Sequence, residues 1–158
     1  SVTTVTGRGT GLDDAGLARK VAVIEQALRM HRPDPTDPID ALAKVGGFEI
    51  AGIAGLILGA AACRRPVVLD GFITGAAALI AAGLQPLCRE YLIASHLSVE
   101  RGHQAVYRKL DLRPLLDLDL RLGEGTGACL GISLVHAAIK ILTQMATFDQ
   151  AGVSERTP

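Results

Sequence analysis

Aromatic residues are scarce in this chain, and neither sign of charge is in excess. Its 158 residues include no Trp, two Tyr and three Phe, and 16 Lys and Arg balance 16 Asp and Glu. A balanced charge gives no positive field to attract a phosphate backbone. The shortage of aromatic rings removes the stacking surfaces that single-stranded nucleic-acid binders use. We therefore expect no nucleic-acid partner.

Cysteine is also scarce, and its spacing indicates no metal site. Cys63, Cys88 and Cys129 form no C-x-x-C pair, so neither a disulfide framework nor a zinc site is predicted. We interpret them as reduced, buried thiols of a cytoplasmic protein. The four histidines are equally scattered, at His31, His96, His103 and His136. We predict neither a metal nor a cofactor.

We expect no signal peptide in the first residues of this sequence. Ser1–Thr6 has no initiator Met, no charged segment and no apolar run of the secretory type. Its β-branched composition predicts an extended segment. We expect the chain to be a piece of a longer protein.

One hydrophobic run is long enough to raise the question of a membrane helix. Phe48–Cys63 is apolar except for Glu49 and includes the spacing Gly55-x-x-x-Gly59, which favours close helix packing in membranes. Its length falls short of the roughly 18 to 20 residues of a spanning helix. A buried helix is favoured and no membrane partner is expected, with a membrane-associated helical protein as an alternative.

Helical and strand patterns alternate along the chain. The predicted helices cover Asp13 to His31, Asp37 to Lys44, Phe48 to Cys63, Phe72 to Ala82, a segment capped by Ser98, and Ala128 to Phe148. The predicted strands cover Pro66 to Leu69, Tyr91 to Ala94, and Leu116 to Leu122. This alternation predicts an α/β fold with a parallel sheet and right-handed crossovers.

The most informative stretch is the end of the last strand. Leu116–Leu122 alternates apolar and polar residues and runs into the loop Gly123-Glu124-Gly125-Thr126-Gly127. Glycines let the backbone approach a ligand closely, and the following helix N-terminus attracts anions. Glu124 is therefore the first candidate for catalysis, with Gly123, Gly125 and Gly127 as ligand-binding residues. The alternatives are that Glu124 caps the next helix or pairs with Arg121.

Three other polar residues lie at strand exits or helix starts. Lys20 is near the loop Gly7–Leu12, Ser98 follows a predicted strand, and Asp70 ends another, where α/β sheets bind ligands. The alternatives are a solvated Lys20, and Ser98 and Asp70 as simple helix caps. By themselves these residues predict only a phosphate-binding α/β domain. Neither a P-loop nor a dinucleotide fingerprint is present.

Five sequence strings, in order along nearly the whole chain, carry a family resemblance. They are DDAGLARKV, KVGGFEIAG, PVVLDGF, SHLSVERG and RLGEGTGA. Together they resemble the nicotinate-nucleotide:dimethylbenzimidazole phosphoribosyltransferases. The resemblance implies a Rossmann-like, three-layer parallel sheet with helices on both faces in 1–127. It also implies that 128–158 are the last helix and tail of a small helical subdomain.

The same resemblance implies a reaction and its residues. The family transfers phosphoribosyl from nicotinate mononucleotide to 5,6-dimethylbenzimidazole, giving α-ribazole 5′-phosphate and nicotinate. Glu124 matches the family's general base, and Lys20 and Ser98 match its phosphate ligands. The expected partners are these substrates, the N-terminal part of the same protein and a second subunit in a homodimer. A non-catalytic phosphate- or nucleotide-binding module is the alternative.

The last helix is apolar around much of its circumference. Its aliphatic residues include Leu130, Ile132, Val135, Ile139, Ile141 and Leu142. One buried stripe would need fewer. We therefore expect this helix to pack against a partner, and the isolated chain to be oligomeric or poorly folded.

Overall fold

The computed structural model describes residues 1–9 and 11–153. The helices in these ranges are α1 (Val2–Val5), α2 (Asp14–His31), α3 (Pro38–Val45), α4 (Phe48–Ala62), α5 (Phe72–Leu84), α6 (Arg101–Leu110) and α7 (Thr126–Gln144). The strands are β1 (Val67–Leu69), β2 (Leu92–Ala94), β3 (His96–Ser98) and β4 (Leu116–Leu120). A 3₁₀ turn, Pro86–Tyr91, precedes β2.

The strands form two short parallel ladders that share one segment. β1 pairs with β2, and β3 pairs with β4. Residues 92–98 run on through Ser95, whose N–H donates to the carbonyl of Leu69 at 3.1 Å. The carbonyl of Ser95 accepts from the N–H of Leu116 on the other side, at 3.0 Å. This segment is therefore the middle strand, and the predicted parallel pairing is confirmed.

Helices cover both faces of these strands. On one face, the core joins Leu69 to buried residues of α4, α5 and α6, among them Ile57 and Ala77. On the other face, Gly131 of α7 lies against Ser95 and Val68. Because neighbouring strand residues point to opposite faces, Val68 and Leu69 contact different layers. The α/β class is confirmed, and the division into 1–127 and 128–158 stays a prediction.

Two helix starts follow the sequence closely. The carboxylate of Asp13 accepts from the N–H of Gly16 at 2.7 Å, immediately before α2. Asp37 accepts from the N–H groups of Ile39 and Asp40 at 2.9 and 3.1 Å, with Pro38 as the first residue of α3. Both carboxylates satisfy backbone donors that a helix N-terminus leaves free. These two predictions are confirmed.

The extended segment expected at the start of the chain is wrong. Val2–Val5 is one turn of helix. The hydroxyl of Thr6 donates to the carbonyl of Val2 at 2.7 Å, and the hydroxyls of Ser1 and Thr4 lie 2.8 Å apart. Local side-chain hydrogen bonds of this kind compete with the extended preference of β-branched residues.

The last strand is shorter and more irregular than expected. β4 ends at Leu120 rather than Leu122, and Asp119 has a φ of 53°. The pairing register shifts beside it, so that Ser98 pairs with Leu120 although Leu97 pairs with Asp117. Leu118 is 53% exposed as a result. The strict two-residue alternation therefore does not produce one buried face.

The expectation of three buried thiols is wrong for two of them. Cys88 is buried, and its burial raises the pKa of its thiol. Cys63 and Cys129 are exposed. Cys63 follows the end of α4, and Cys129 lies on α7, where only Gly127 and Gly131 are buried.

Helix α7 presents most of its apolar residues to solvent. Leu142 is 85% exposed and Ile141 is 58% exposed. In the described ranges, α7 is also the one helix whose length and composition would suffice to cross a membrane, whereas α4 and α5 are too short.

We expect the isolated chain to self-associate through α7, because exposed aliphatic side chains gain free energy when they leave water. Replacing Ile141 and Leu142 by Gln should shift the mass measured by multi-angle light scattering towards that of a monomer. Leu87→Gln is the matched control, since Leu87 is 65% exposed outside α7. A monodisperse wild-type monomer would contradict this expectation.

Candidate functional site

A cavity of about 540 Å³ lies at the carboxyl ends of the strands. Three of its lining residues follow a strand or end one: Gly71 after β1, Ser98 at the end of β3 and Gly123 after β4. Other walls come from the N-terminal loop, through Gly7 and Gly9. Its volume is in the range of small-molecule sites, and α/β sheets bind ligands at this edge.

The polar wall of the cavity includes two of the predicted phosphate ligands, Lys20 and Ser98. The ammonium of Lys20 donates to the carbonyl of Gly7 at 3.0 Å and has two further hydrogens to offer. The hydroxyl oxygen of Ser98 accepts from the N–H of Glu100 at 3.2 Å, so its own hydrogen is free to donate. Together they can bind an anion at this wall.

Ser98 is not the cap residue that the sequence suggested. Helix α6 begins at Arg101, and Glu100 is the residue that precedes it, with no side-chain capping bond. Ser98 ends β3 instead and stabilises the turn between strand and helix. Ser98 thus lines the cavity, and its hydroxyl oxygen accepts from the N–H of the residue that precedes α6.

Much of the cavity lining is apolar. It includes Val5, Ile24, Leu28, Phe72 and Ile73. A cavity that combines a cationic group with aliphatic and aromatic side chains suits a ligand with a phosphate and a ring.

Glu124 lies in an uncommon backbone conformation. Its φ is 56°, between Gly123 at 76° and Gly125 at 80°. A non-glycine residue in the left-handed region costs of order 1 kcal/mol, and such residues are concentrated at functional sites. Its side chain is exposed, and Gly123 beside it lines the cavity.

The two alternatives for Glu124 are not observed. Helix α7 begins after Gly125 without a capping bond from Glu124. Among residues 1–9 and 11–153, no ion pair joins Glu124 to Arg121, and no hydrogen bond reaches its carboxylate. The carboxylate is free to meet a ligand, and its catalytic role stays a prediction.

Asp70 caps a helix, though not the one that follows it. Its residue is 8% exposed, and its carboxylate accepts from the N–H groups of Gly125 and Ala128 at 3.2 and 3.0 Å. Helix α5, next in the chain, starts after Gly71 without a side-chain cap. Through these two hydrogen bonds, Asp70 therefore fixes the loop of Glu124 and the start of α7. Direct substrate binding by Asp70 stays a prediction.

We expect Asp70→Ala to destabilise the chain by about 1–2 kcal/mol, since a carboxylate cap at a helix N-terminus is lost. Asp37→Ala removes the cap of α3 and should cost a similar amount in urea unfolding. Only Asp70→Ala should also lower turnover, because it releases the Glu124 loop. Equal turnover in the two variants would contradict a positioning role.

The three glycines of the loop have different surroundings. Gly123 lines the cavity, whereas Gly125 donates to Asp70. Gly127 is buried, and a Cβ placed on it would lie 1.8 Å from Nδ1 of His96. Gly127 thus serves close packing of α7 on the middle strand. Contact with substrate at these glycines stays a prediction.

A buried group of side chains escaped the sequence reasoning. Ser95, His96 and His103 are at most 2% exposed, and Tyr107 is 3% exposed. The rings of His96 and His103 lie 6.0 Å apart, and those of His103 and Tyr107 lie 4.2 Å apart. A spacing of seven residues predicts no contact when a helix starts between the two. They meet because the strand turns into α6, with the N–H of Ser98 donating to Nδ1 of His103 at 2.9 Å.

Burial sets the ionisation of this group. It lowers the pKa of His103 to about 4, with a smaller effect of the same sign from His96 and an opposing one from Asp70. Burial likewise raises the pKa of Tyr107. His103 is thus neutral at pH 7, as its bond with the N–H of Ser98 requires.

This shift predicts acid sensitivity. Below pH 6.5 the unfolded chain binds a proton at His103 that the folded chain refuses until about pH 4. The free energy of unfolding should therefore fall by roughly 3 kcal/mol as the pH drops from 7 to 4. Urea unfolding of wild type and His103→Gln at several pH values isolates this residue. Parallel pH profiles for the two proteins would contradict the prediction.

No group of three or more His, Cys, Asp or Glu residues that could hold a metal ion occurs in the part of the chain that the structure describes.

The fold and the cavity define a class of protein: a parallel α/β domain with a cavity and glycine-containing loops at the carboxyl ends of its strands, the edge where such domains bind ligands. The family model described as phosphoribosyltransferase matches residues 1–153. The chain belongs to the nicotinate-nucleotide:dimethylbenzimidazole phosphoribosyltransferase family, which confirms the resemblance seen in its motifs.

Several relatives carry the name nicotinate-nucleotide–dimethylbenzimidazole phosphoribosyltransferase. The protein from Roseiflexus sp. (strain RS-1) is 71% identical over 153 residues, 97% of this chain and 43% of the relative. That from Chloroflexus aggregans is 68% identical, over 98% of this chain and 44% of the relative. The crystal structure of CobT from Thermus thermophilus matches with a TM-score of 0.91 and 48% identity, over 98% of this chain and 46% of that one. The chain thus spans less than half the length of these relatives.

Proposed function

We propose that this chain carries the phosphoribosyl site of an enzyme that transfers phosphoribosyl from nicotinate mononucleotide to 5,6-dimethylbenzimidazole, giving α-ribazole 5′-phosphate and nicotinate. One observation carries the proposal. The cavity lined by Lys20 and Ser98 is bordered by Gly123, whose neighbour Glu124 has an unpaired carboxylate among the described residues. An anion site beside a free carboxylate provides what this reaction needs.

The leaving group needs little help. Nicotinate mononucleotide holds its ring as a cationic pyridinium, so nicotinate departs without protonation when its bond to the anomeric carbon breaks. One azole nitrogen forms the new bond on the opposite side, which converts a β-linkage to an α-linkage. The other azole nitrogen gives up its proton.

Glu124 is the residue proposed to take that proton. A glutamate is ionised at neutral pH and able to accept. Its backbone is in the left-handed region, and the N–H of the next residue, Gly125, donates to Asp70. Lys20 and Ser98 would bind the phosphate in the cavity and keep the anomeric carbon in place.

The partners follow from the surfaces that remain open. The apolar residues of α7, with Leu142 85% exposed, suit an N-terminal segment of the same protein or a second subunit of a homodimer. We also propose a cytoplasmic location, because both substrates are intracellular metabolites.

A reconstitution assay tests the proposal. The chain is mixed with the N-terminal segment of a close relative, nicotinate mononucleotide and dimethylbenzimidazole, and released nicotinate is measured. We expect release only when both segments and both substrates are present. The alternative, a non-catalytic nucleotide-binding module, predicts saturable binding of nicotinate mononucleotide with no nicotinate released under any of these conditions.

A further inference from the structure

His96 lies at the cavity wall, and the proposed reaction gives it no role. The residue opens β3, lines the cavity and is 2% exposed. Two glycines enclose one edge of its ring: a Cβ on Gly71 would lie 4.0 Å from Cε1, and one on Gly127 would lie 2.4 Å from the same atom. The ring is therefore fixed in place between the cavity and the start of α7.

Ser95 determines which nitrogen of His96 carries hydrogen. The hydroxyl oxygen of Ser95 lies 2.5 Å from the carbonyl of Leu69, 3.4 Å from that of Asp70 and 3.1 Å from Nδ1 of His96. Carbonyls only accept, so the single hydroxyl hydrogen goes to Leu69. The oxygen is then an acceptor for Nδ1–H of His96. In a neutral imidazole with hydrogen on Nδ1, Nε2 has a free lone pair.

The surrounding groups leave that lone pair unused. Tyr107 donates to the backbone carbonyl of His96 at 3.1 Å, and His103 has its own Nδ1 occupied by the N–H of Ser98. Within residues 1–9 and 11–153, no hydrogen bond involves Nε2 of His96. An acceptor at a cavity wall without a partner among the described residues can take a hydrogen bond from a donor on the ligand.

We propose that Nε2 of His96 accepts a hydrogen bond from a ribose hydroxyl of the bound nucleotide. This deepens the proposed function and rests on it. A nitrogen that only accepts cannot bind the nicotinate carboxylate or the phosphate dianion that predominates at pH 8, since neither offers a hydrogen. The remaining donors are the ribose hydroxyls and the azole N–H, and the proposed function assigns the latter to Glu124.

The spacing along β3 supports the ribose. His96 and Ser98 both line the cavity and are two residues apart, about 7 Å along an extended strand. With the phosphate at Ser98, the sugar attached to it extends over neighbouring wall residues. His96 is therefore a specificity-determining residue for ribose, and its ring is positioned by Ser95.

Nitrogen NMR of the histidine rings tests this directly. At pH 8 we expect His96 of the wild-type chain, assembled with the N-terminal segment of a relative, to carry hydrogen on Nδ1. Added nicotinate mononucleotide should shift its Nε2 resonance saturably. A hydrogen on Nε2, or saturable binding of the nucleotide that leaves the His96 resonances unmoved, would overturn the inference alone. The absence of any saturable binding would overturn the proposed function, and the inference with it.

Two variants and two modified ligands distinguish the donors. His96→Phe should weaken nicotinate mononucleotide binding about 2- to 10-fold and leave dimethylbenzimidazole binding unchanged. His96→Gln, which keeps an acceptor, should retain affinity within about threefold. Of the 2′- and 3′-deoxy nucleotides, the one that lacks the hydroxyl donated to His96 should bind wild type and His96→Phe with equal affinity. Two results would overturn the ribose assignment. One is that His96→Phe weakens the binding of dimethylbenzimidazole instead. The other is that His96→Phe weakens the binding of both deoxy nucleotides as much as that of nicotinate mononucleotide.

Discussion

Glu124→Gln is expected to lower turnover by about 10²- to 10⁴-fold while the protein folds normally. General-base catalysis is worth that much, and an amide cannot take the azole proton. Stability should change little, because no described residue bonds or pairs with the carboxylate. The measurement is the rate of nicotinate release in the reconstituted enzyme.

Glu90→Gln is the matched control for this variant. Glu90 is an exposed acid on the 3₁₀ turn, away from the main cavity. Its substitution should leave turnover within about twofold of wild type, as surface changes far from a site usually do. Equal turnover for Glu124→Gln and wild type would remove Glu124 from the mechanism.

Gly127→Ala is expected to give the largest loss of stability. Its Cβ would lie 1.8 Å from Nδ1 of His96, a residue that is only 2% exposed and whose Nδ1 also lies 3.1 Å from the hydroxyl of Ser95. Relief requires α7 or the middle strand to move, and forced overpacking of this kind costs roughly 1–3 kcal/mol. Turnover should fall as well, because the start of α7 carries the loop of Glu124.

Gly52→Ala is expected to change the free energy of unfolding in the opposite direction. Gly52 lies inside α4, and nothing stands within 4 Å of where its Cβ would be. Alanine in a helix interior is favoured over glycine by about 0.5–1 kcal/mol, so this variant should be more stable than wild type. Urea unfolding of the two variants gives both values. A Gly127→Ala protein as stable as wild type would contradict the packing described at His96.

Local signals in the sequence were enough for most helices and strands. Asp13 before α2 and the pair Asp37–Pro38 before α3 act through hydrogen bonds to residues two or three positions away, so sequence reasoning reaches them. The apolar runs of β1 and β2 and the glycine loops around the cavity can likewise be recognised from neighbouring residues in the sequence. Family resemblance then supplied the reaction and the residue roles.

Contacts between distant residues were beyond local reasoning. The carboxylate of Asp70 accepts from Ala128, 58 positions later, whereas the sequence could offer only the adjacent helix as its partner. The contact of His96 with Gly127 also depends on how α7 crosses the middle strand. Leu118 is a further case that the sequence could not predict. The alternating pattern predicts a buried side chain, but the pairing register shifts beside Asp119 and Leu118 is exposed.

The central claim is that Glu124 removes a proton from the incoming azole, and an N-methylated acceptor tests it most directly. With 1,5,6-trimethylbenzimidazole there is no N–H to remove, so nicotinate release should proceed at similar rates in wild type and Glu124→Gln. With 5,6-dimethylbenzimidazole the two rates should differ by about 10²-fold or more. If Glu124→Gln is slowed equally with both acceptors, Glu124 does not act as the base.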